Sequence, residues 1–242
     1  MENILIYIIL VCTVIISGLI VFALKISSKA LKLILSFSGA FLFAISVLHL
    51  IPDVYVKGSN SAGIYILIGF FLQILMEYFS EGIEHGHIHI NHDKKSNFPV
   101  MMMLALSIHS FLEGMPLAQN NVANYSLVRS LLFGITLHNI PISIALMSML
   151  LQSDLKKQTA FFWLCIFALM TPFGMLTAYI IGHNMTDVID LSQYFNKIMA
   201  VVIGIFLHIS TTILFESSEN HRFNFVKFIA ILAGASLAFI ST

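Results

Sequence analysis

The chain has 242 residues, of which 58% are hydrophobic and only 10% are charged, and its formal net charge is zero. Soluble domains carry about 25% charged residues, so this composition excludes a soluble globular protein and predicts an integral protein of the lipid bilayer. Zero net charge argues against nucleic-acid binding. The two cysteines both lie in apolar segments, which excludes a disulfide scaffold and a cysteine-rich zinc module.

Segments apolar enough to cross a bilayer, each about 20 residues long, recur along the whole chain. The eight predicted spans are Ile4–Leu24, Leu33–Ile51, Gly63–Ser80, Phe98–Ala118, Ser126–Leu151, Thr159–Ile181, Tyr194–Phe215 and Phe225–Ile240. The first is predicted to be a span and not a signal peptide, because it lacks a basic leading region and its apolar run is too long. The sequence therefore predicts an all-α polytopic membrane protein with eight transmembrane helices in one domain, residues 1–242.

Lysine and arginine are divided unevenly between the two sets of loops. Nine lie in one set: Lys25, Lys29, Lys32, Lys94, Lys95, Lys156, Lys157, Arg222 and Lys227. The other set holds Lys57, Arg129 and Lys197. Because basic loops stay in the cytoplasm, this bias predicts that both termini are extracytoplasmic and that the loop at about residues 84–97 is cytoplasmic.

Polar side chains first appear inside the second and third spans. His49 and Asp53 are four residues apart near the extracytoplasmic end of the second span. In the third span Gln73, Glu77 and Glu81 recur every four residues, so they lie on one helical face in its cytoplasmic half. This pattern predicts that the two spans line a route for a charged species.

The third span is followed by a histidine-rich segment, EHGHIHINHDKK. His85, His87, His89 and His92 fall within eight residues, a pattern typical of weak, multivalent metal binding. The alternative is a polar loop that happens to be rich in histidine.

The fourth and fifth spans each carry a histidine at mid-depth, in the segments LSIHSFLEGMPLA and TLHNIPIS. His109 is eleven residues into its span, or about 16 Å at 1.5 Å per residue, and His138 lies twelve residues after Ser126. Glu113 shares a helical face with His109. A charged group near the bilayer centre costs about 2.5–3.5 kcal/mol, so these residues need a compensating partner or a function.

Two prolines follow these polar residues, at Pro116 and Pro141. Each removes a backbone hydrogen bond from its helix, and interrupted helices of this kind mark the binding sites of transporters. Two imidazoles and a carboxylate suit a borderline divalent ion such as Zn²⁺. The alternative is a pair of structural histidines that hydrogen-bond across two helices.

His208 in the seventh span adds a further polar group in the cytoplasmic half. With it, candidate ligands are spread from the extracytoplasmic side through the centre to the histidine-rich loop. Ion conduction needs such a series of sites, each strong enough to bind and weak enough to release.

Three segments resemble the ZIP (Zrt/Irt-like) family of divalent metal transporters. They are HSFLEG in the fourth span, HNIP in the fifth and GAFLFAISVLHLIPD in the second. The resemblance covers essentially the whole chain. It implies that His109, Glu113 and His138 are metal ligands, and that Ser110 and Asn139 occupy positions that in some members help to hold a second metal.

The fifth span departs from the pattern His-Asn-x-Pro-Glu-Gly of many members. Ile142 stands at the position of the glutamate ligand and Ser143 at that of the glycine. We therefore expect one metal ion at the centre and not a bridged pair.

The resemblance also implies a 3+2+3 inverted repeat, a homodimer and an elevator-like movement of spans one, four, five and six against the rest. The segments GAFLFAIS from Gly39 and GIFLHIST from Gly204 would begin corresponding helices of the repeat.

The sequence thus predicts a transporter in the plasma or inner membrane that moves Zn²⁺ toward the cytoplasm, with Fe²⁺, Mn²⁺ and Cd²⁺ as other candidate substrates. We do not expect an enzyme. The alternative is a membrane-embedded zinc hydrolase with a metal-activated water. Against it, the chain has no H-E-x-x-H motif, and its polar positions spread over the membrane depth.

Overall fold

The computed structural model describes residues 2–24, 26–57, 61–80, 100–118, 125–153, 155–184, 190–216 and 224–241. Within these ranges the chain is helical and forms no strand, which confirms the predicted all-α class. The helices are α1 (Glu2–Ala23), α2 (Ser28–Ile45, a π turn Ser46–Leu50, and Ile51–Lys57), α3 (Ala62–Ser80), α4 (Val100–Gly114 and a 3₁₀ turn Met115–Ala118), α5 (Tyr125–Gln152), α6 (Lys157–Asn184), α7 (Leu191–Glu216) and α8 (Phe225–Ile240).

Seven of these helices, α1 to α7, are long and apolar enough to cross a membrane. The eighth, α8, is equally apolar but has only 16 residues, or about 24 Å of helix. Large apolar side chains such as Ile64, Phe71 and Phe162 point outward and are more than half exposed, as expected for surfaces that face lipid.

The second helix is longer than predicted, since it begins five residues before Leu33 and continues six residues beyond Ile51. Pro52 does not end it. A proline is tolerated in the first turn of a helix, and here it lies in the first turn of the third piece of α2, directly after the π turn. The π turn places His49 in a widened section of helix, a feature often found at functional sites.

Successive helices run in opposite directions. Ser130 Oγ near the start of α5 donates to Ser241 O at the end of α8, and Asn196 Nδ2 near the start of α7 donates to Val54 O near the end of α2. We call the side where α1 begins and α8 ends the terminal side. The side where α3 ends and α4 begins is the loop side.

The main helix contacts fall into two groups. In the first, α1 packs on α5 and α6, and α4 packs on α6; in the second, α3 packs on α7, and α2 packs on α8 and α7. Contacts of α2 with α5 and of α3 with α4 join the two groups. The pairings within the two groups stay the same when each helix is exchanged for its counterpart in the predicted repeat. The counterparts are α1 and α6, α2 and α7, α3 and α8, and α4 and α5. An inverted 3+2+3 repeat requires this pattern, and the repeat itself stays a prediction.

Glycines allow backbone contact inside each group. A Cβ atom at Gly69 of α3 would overlap the carbonyl oxygen of Val201, and one at Gly204 of α7 would overlap that of Ile66. Small residues let membrane helices approach this closely, so α3 and α7 are held together by reciprocal packing of their backbones.

The same arrangement joins α4 to α6. A Cβ atom at Gly114 would overlap the carbonyl oxygen of Thr171, and one at Gly174 would overlap that of Phe111. Any larger residue at either glycine would push the two helices apart, and Gly114 directly follows Glu113.

Two buried apolar clusters fill the bundle, one toward each side of the membrane. The terminal-side cluster includes Leu117 of α4 and Ile135 of α5, whereas the loop-side cluster includes Leu106 of α4 and Ile142 of α5. Along both helices the change from one cluster to the other occurs at the level of the two mid-depth histidines. The fold therefore places a polar layer between two apolar ones.

Candidate metal site

The polar layer holds a compact group of ligand atoms, contributed by α4 and α5. His109, Glu113 and His138 each offer one nitrogen or oxygen atom, and these three atoms lie within 4.8 Å of one another. All three side chains are 0% exposed. We call this group the central cluster. Among the described residues it is the one set of three or more histidine, cysteine or acidic side chains with this geometry.

Within the central cluster the side chains lie close to one another, and the two imidazole rings are nearly perpendicular. His109 Nε2 lies 3.0 Å from Glu113 Oε1, one helical turn away. The rings of His109 and His138 are 6.1 Å apart between centroids and 83° apart in orientation. Adjacent helices thus bring two imidazoles and one carboxylate to the same small volume.

The carboxylate of Glu113 is the unusual member. Neither of its oxygens forms a hydrogen bond with a described residue, although Oε1 is within range of His109 Nε2. A buried ionised group without compensation costs several kcal/mol. A divalent cation would supply this compensation, and two nitrogens with one oxygen are a donor set that Zn²⁺ accepts.

Proline and glycine shape the helices around the central cluster. Pro116 lies in the 3₁₀ turn that follows Glu113, and Pro141 lies inside α5, three residues after His138. A proline cannot donate the backbone bond that would normally satisfy the carbonyl four residues earlier, which here is that of Leu137 for Pro141. Interrupted backbone at this depth is tolerated where it is buried in protein or lines a cavity.

Ser110 and Asn139 directly follow the two histidines and are both 1% exposed. Ser110 Oγ and Asn139 Oδ1 form no hydrogen bond with a described residue. They lie beside the central cluster, and their roles as additional ligands stay predictions.

Ile142 is 0% exposed and packs in the loop-side cluster, one helical turn beyond His138. Leu106 of α4 lies in the same cluster, three residues before His109. At the position where the resemblance to the ZIP family would place a carboxylate, this chain therefore has a buried apolar side chain.

A second polar contact joins α3 to α7. His208 Nε2 lies 2.5 Å from Glu77 Oε2, and the side chains are 11% and 22% exposed. The ring of Phe70 meets the His208 ring edge-on at 5.0 Å. We call these two residues the α3–α7 pair. Gln73, one turn before Glu77, is fully buried.

The sequence placed Glu77 and His208 on the same predicted route but gave no sign that they touch. Helical periodicity shows which residues share a face, and it does not show which helices are neighbours. Their pairing across 131 positions of the chain became evident only from the packing of α3 against α7.

The remaining predicted site residues are not part of the central cluster. His49 and Asp53 lie on α2, in the π turn and just after it, and both are half-buried. Glu81, His85, His87, His89 and His92 lie outside the described residues.

Comparison with known proteins links these features to one family. The family model described as ZIP zinc transporter matches residues 95–242, which include α4 to α8 and the whole central cluster. The chain is also similar to the protein zntD of Dictyostelium discoideum, with 29% identity over 170 residues. That match covers 64% of this chain and 24% of zntD, so the chain spans about a quarter of the length of that relative.

Proposed function

Because the chain belongs to the ZIP zinc transporter family, we propose that it carries Zn²⁺ across the membrane through the central cluster, from the terminal side toward the cytoplasm. The observation that supports this proposal best is the burial of three convergent ligands at mid-depth, where Glu113 has no hydrogen bond with a described residue. The resemblance of HSFLEG and HNIP to the family is confirmed by the match over residues 95–242, which includes both motifs.

The chemistry of the central cluster favours a divalent ion of borderline softness. We propose that His109 and His138 provide nitrogen ligands and that Glu113 provides an oxygen ligand and the opposing charge. Fe²⁺, Mn²⁺ and Cd²⁺ remain candidate substrates beside Zn²⁺. The histidines must be neutral and the carboxylate ionised for binding, so protons compete with the metal.

Access to the central cluster requires movement. The three ligand side chains are fully buried, and apolar clusters lie on both sides of them. We propose that α1, α4, α5 and α6, in which α1 packs on α5 and α6 and α4 packs on α6, move as a group against α2, α3, α7 and α8. The ion would then travel with His109, Glu113 and His138 past the contact between the groups.

We further propose that one ion occupies the centre, since a second would need a bridging carboxylate where Ile142 stands. Extracytoplasmic termini, a location in the plasma or inner membrane and a homodimer are also part of the proposal. They are supported by the distribution of basic loops and by the resemblance to the family. Nothing in the central cluster favours the alternative of a zinc hydrolase.

Zinc flux into liposomes that contain the purified full-length protein tests the proposal. We expect His138→Ala to remove most of the flux seen with the wild type. His183→Ala is the matched control, because His183 is an exposed histidine at the end of α6 that stacks on Tyr179. Normal flux through His138→Ala would contradict the two-helix site. Competition among the four metals in the same assay measures selectivity.

A further inference from the structure

We infer that Glu77 and His208 form a second, weaker binding site for a divalent cation, which receives the ion on the loop side of the central cluster. This inference rests on the proposed function, since it assigns a further step to the same transport route. It is carried by the geometry of the α3–α7 pair, by its partial exposure and by its position in the bundle.

The first observation is that the close contact of α3 with α7 places Glu77 opposite His208. Gly69 and Gly204 fix the crossing of α3 and α7 by contact between backbones. Eight residues after Gly69, Glu77 meets His208, which lies four residues after Gly204. The two helices therefore run in parallel, and the pair lies beyond their crossing, toward the loop side.

The second observation is the distance between the two ligand atoms. Zn²⁺ binds histidine nitrogen and carboxylate oxygen at about 2.0–2.2 Å, so tetrahedral ligands are about 3.3 Å apart. His208 Nε2 and Glu77 Oε2 are 2.5 Å apart. If the two atoms moved apart by about 1 Å, an ion would therefore fit between them. A metal bound to Nε2 would replace the hydrogen bond between the two side chains, and it requires a neutral imidazole and an ionised carboxylate.

The third observation is that the α3–α7 pair is partly exposed, whereas the central cluster is not. The two side chains are 11% and 22% exposed, against 0% for the three central ligands. We propose that water molecules complete the coordination of an ion held by the pair. Two protein ligands and several waters bind more weakly than three buried ligands. A weak site is what release requires, because an ion must be able to leave it.

The fourth observation is the position of the two sites relative to the loop-side apolar cluster. Met76 precedes Glu77 and Ile209 follows His208, and both pack in the loop-side cluster. Leu106 and Ile142 of the same cluster lie next to the central ligands. Phe206, two residues before His208, packs in the terminal-side cluster, so the pair lies where the loop-side layer begins on α7. An ion that leaves the centre toward the loop side therefore meets the pair as it enters this layer.

The competing explanation is an ion pair that only fastens α3 to α7. Glu77→Gln separates the two explanations, because an amide still hydrogen-bonds to His208 but is a poor ligand for a divalent cation. A fastening role predicts that this variant behaves as the wild type. A metal site predicts that it loses the ion.

The experiment measures Zn²⁺ binding to full-length purified protein by equilibrium dialysis. The background variant has His109, Glu113 and His138 changed to Ala, and His85, His87, His89 and His92 changed to Ser, which removes the central cluster and the loop histidines. We expect it to retain one weakly bound ion per chain. Adding Glu77→Gln or His208→Gln should weaken this binding by more than about tenfold, since even the loss of hydrogen-bond partners to metal ligands has effects of that size.

The control is His183→Gln in the same background, which should leave the ion bound. If the background variant is unstable, the variant with only the loop histidines changed is measured instead. That variant should bind two ions of unequal affinity, and Glu77→Gln should remove only the weaker one.

The inference is overturned if no weak ion is bound, or if Glu77→Gln and His208→Gln bind it normally. Failure of the proposed function would look different. In that case His138→Ala would transport normally in liposomes, whatever Glu77→Gln does to binding.

Discussion

The protein contains two contacts between a histidine and a glutamate, and they differ in almost every respect. In the central cluster His109 and Glu113 lie 3.0 Å apart on one helix with both side chains fully buried, and His138 joins them from α5. In the α3–α7 pair the two residues lie 2.5 Å apart on different helices and remain partly exposed. The first arrangement leaves a carboxylate without a hydrogen bond from a described residue, and the second satisfies its carboxylate directly.

The helices that carry the two contacts differ as well. Proline interrupts α4 and α5 beside the central cluster, at Pro116 and Pro141, whereas α3 and α7 contain no proline. Burial and a carboxylate without a hydrogen bond from a described residue favour tight binding of an ion. Partial exposure and an existing hydrogen bond favour brief binding and release. We therefore propose that the central cluster selects the metal and that the α3–α7 pair passes it on.

The largest effect is expected at the charge of the central cluster. Glu113→Gln keeps the shape of the side chain but removes the charge that opposes the metal. Breaking one partner of a buried charged interaction costs about 3–5 kcal/mol, so we expect zinc affinity to fall by at least about a hundredfold and transport to be largely lost. Zinc flux and equilibrium dialysis measure the two effects.

The double variant His109→Ala with Glu113→Gln provides the control for this prediction. Residues that act as one site are not additive, so the double variant should be little worse than either single one. If the loss of zinc affinity in the double variant were the product of the losses in the two single variants, the two residues would not bind the same ion.

The sequence was sufficient to predict these central residues because the signals are local. Hydropathy located the helices, the four-residue spacing placed Glu113 with His109, and equal depth brought His138 beside them. The α3–α7 pair, the π turn in α2 and the backbone crossings depend on which helices are neighbours and at what angle. No single segment encodes that information, so these features could be recognised only in the folded chain.

The next effect in size concerns the glycine crossings, which support the two sites separately. Gly114→Ala would force α4 away from Thr171 of α6, and Gly204→Ala would force α7 away from Ile66 of α3. Overpacking of this kind costs about 1–3 kcal/mol. We expect Gly114→Ala to weaken zinc binding at the central cluster, and Gly204→Ala to weaken only the binding assigned to the α3–α7 pair.

Gly134→Ala is the matched control, because its Cβ would meet only side-chain atoms of Leu42 and Phe41, at 3.0 Å. Side-chain ends can shift where a carbonyl cannot. Thermal unfolding of the purified variants should therefore show a smaller loss for Gly134→Ala than for the other two. Equal losses at all three positions would argue against the special role of backbone contact.

A smaller effect, of opposite sign, is expected at Ile142. Its side chain is buried one turn beyond His138, and Ile142→Glu would place a carboxylate near the central cluster. We expect about tenfold tighter binding of zinc and slower release, since even the loss of a hydrogen-bond partner to a metal ligand changes affinity by about that factor. The central cluster would then differ even more from the α3–α7 pair.

Anomalous scattering from crystals grown with zinc tests the same point by counting ions. We expect one central peak in the wild type and either one or two in Ile142→Glu. Two adjacent strong peaks in the wild type would contradict the single-ion centre, because Glu113 would then have to bridge both ions alone.

The smallest effect is expected from the histidine-rich loop, whose residues His85, His87, His89 and His92 lie outside the described part of the chain. A histidine tract binds metal loosely and lies beyond both the central cluster and the α3–α7 pair along the predicted route. Replacing all four by serine should change zinc flux by less than about twofold, because each step across the apolar layers remains intact. If flux were completely lost although the protein is correctly inserted, the loop and not the buried ligands would contain the rate-limiting step of transport. Measuring flux in this variant with and without Glu77→Gln shows which site releases the ion to the cytoplasm. If the loop only binds metal after release, Glu77→Gln should reduce flux to the same extent in the loop variant as in the wild type.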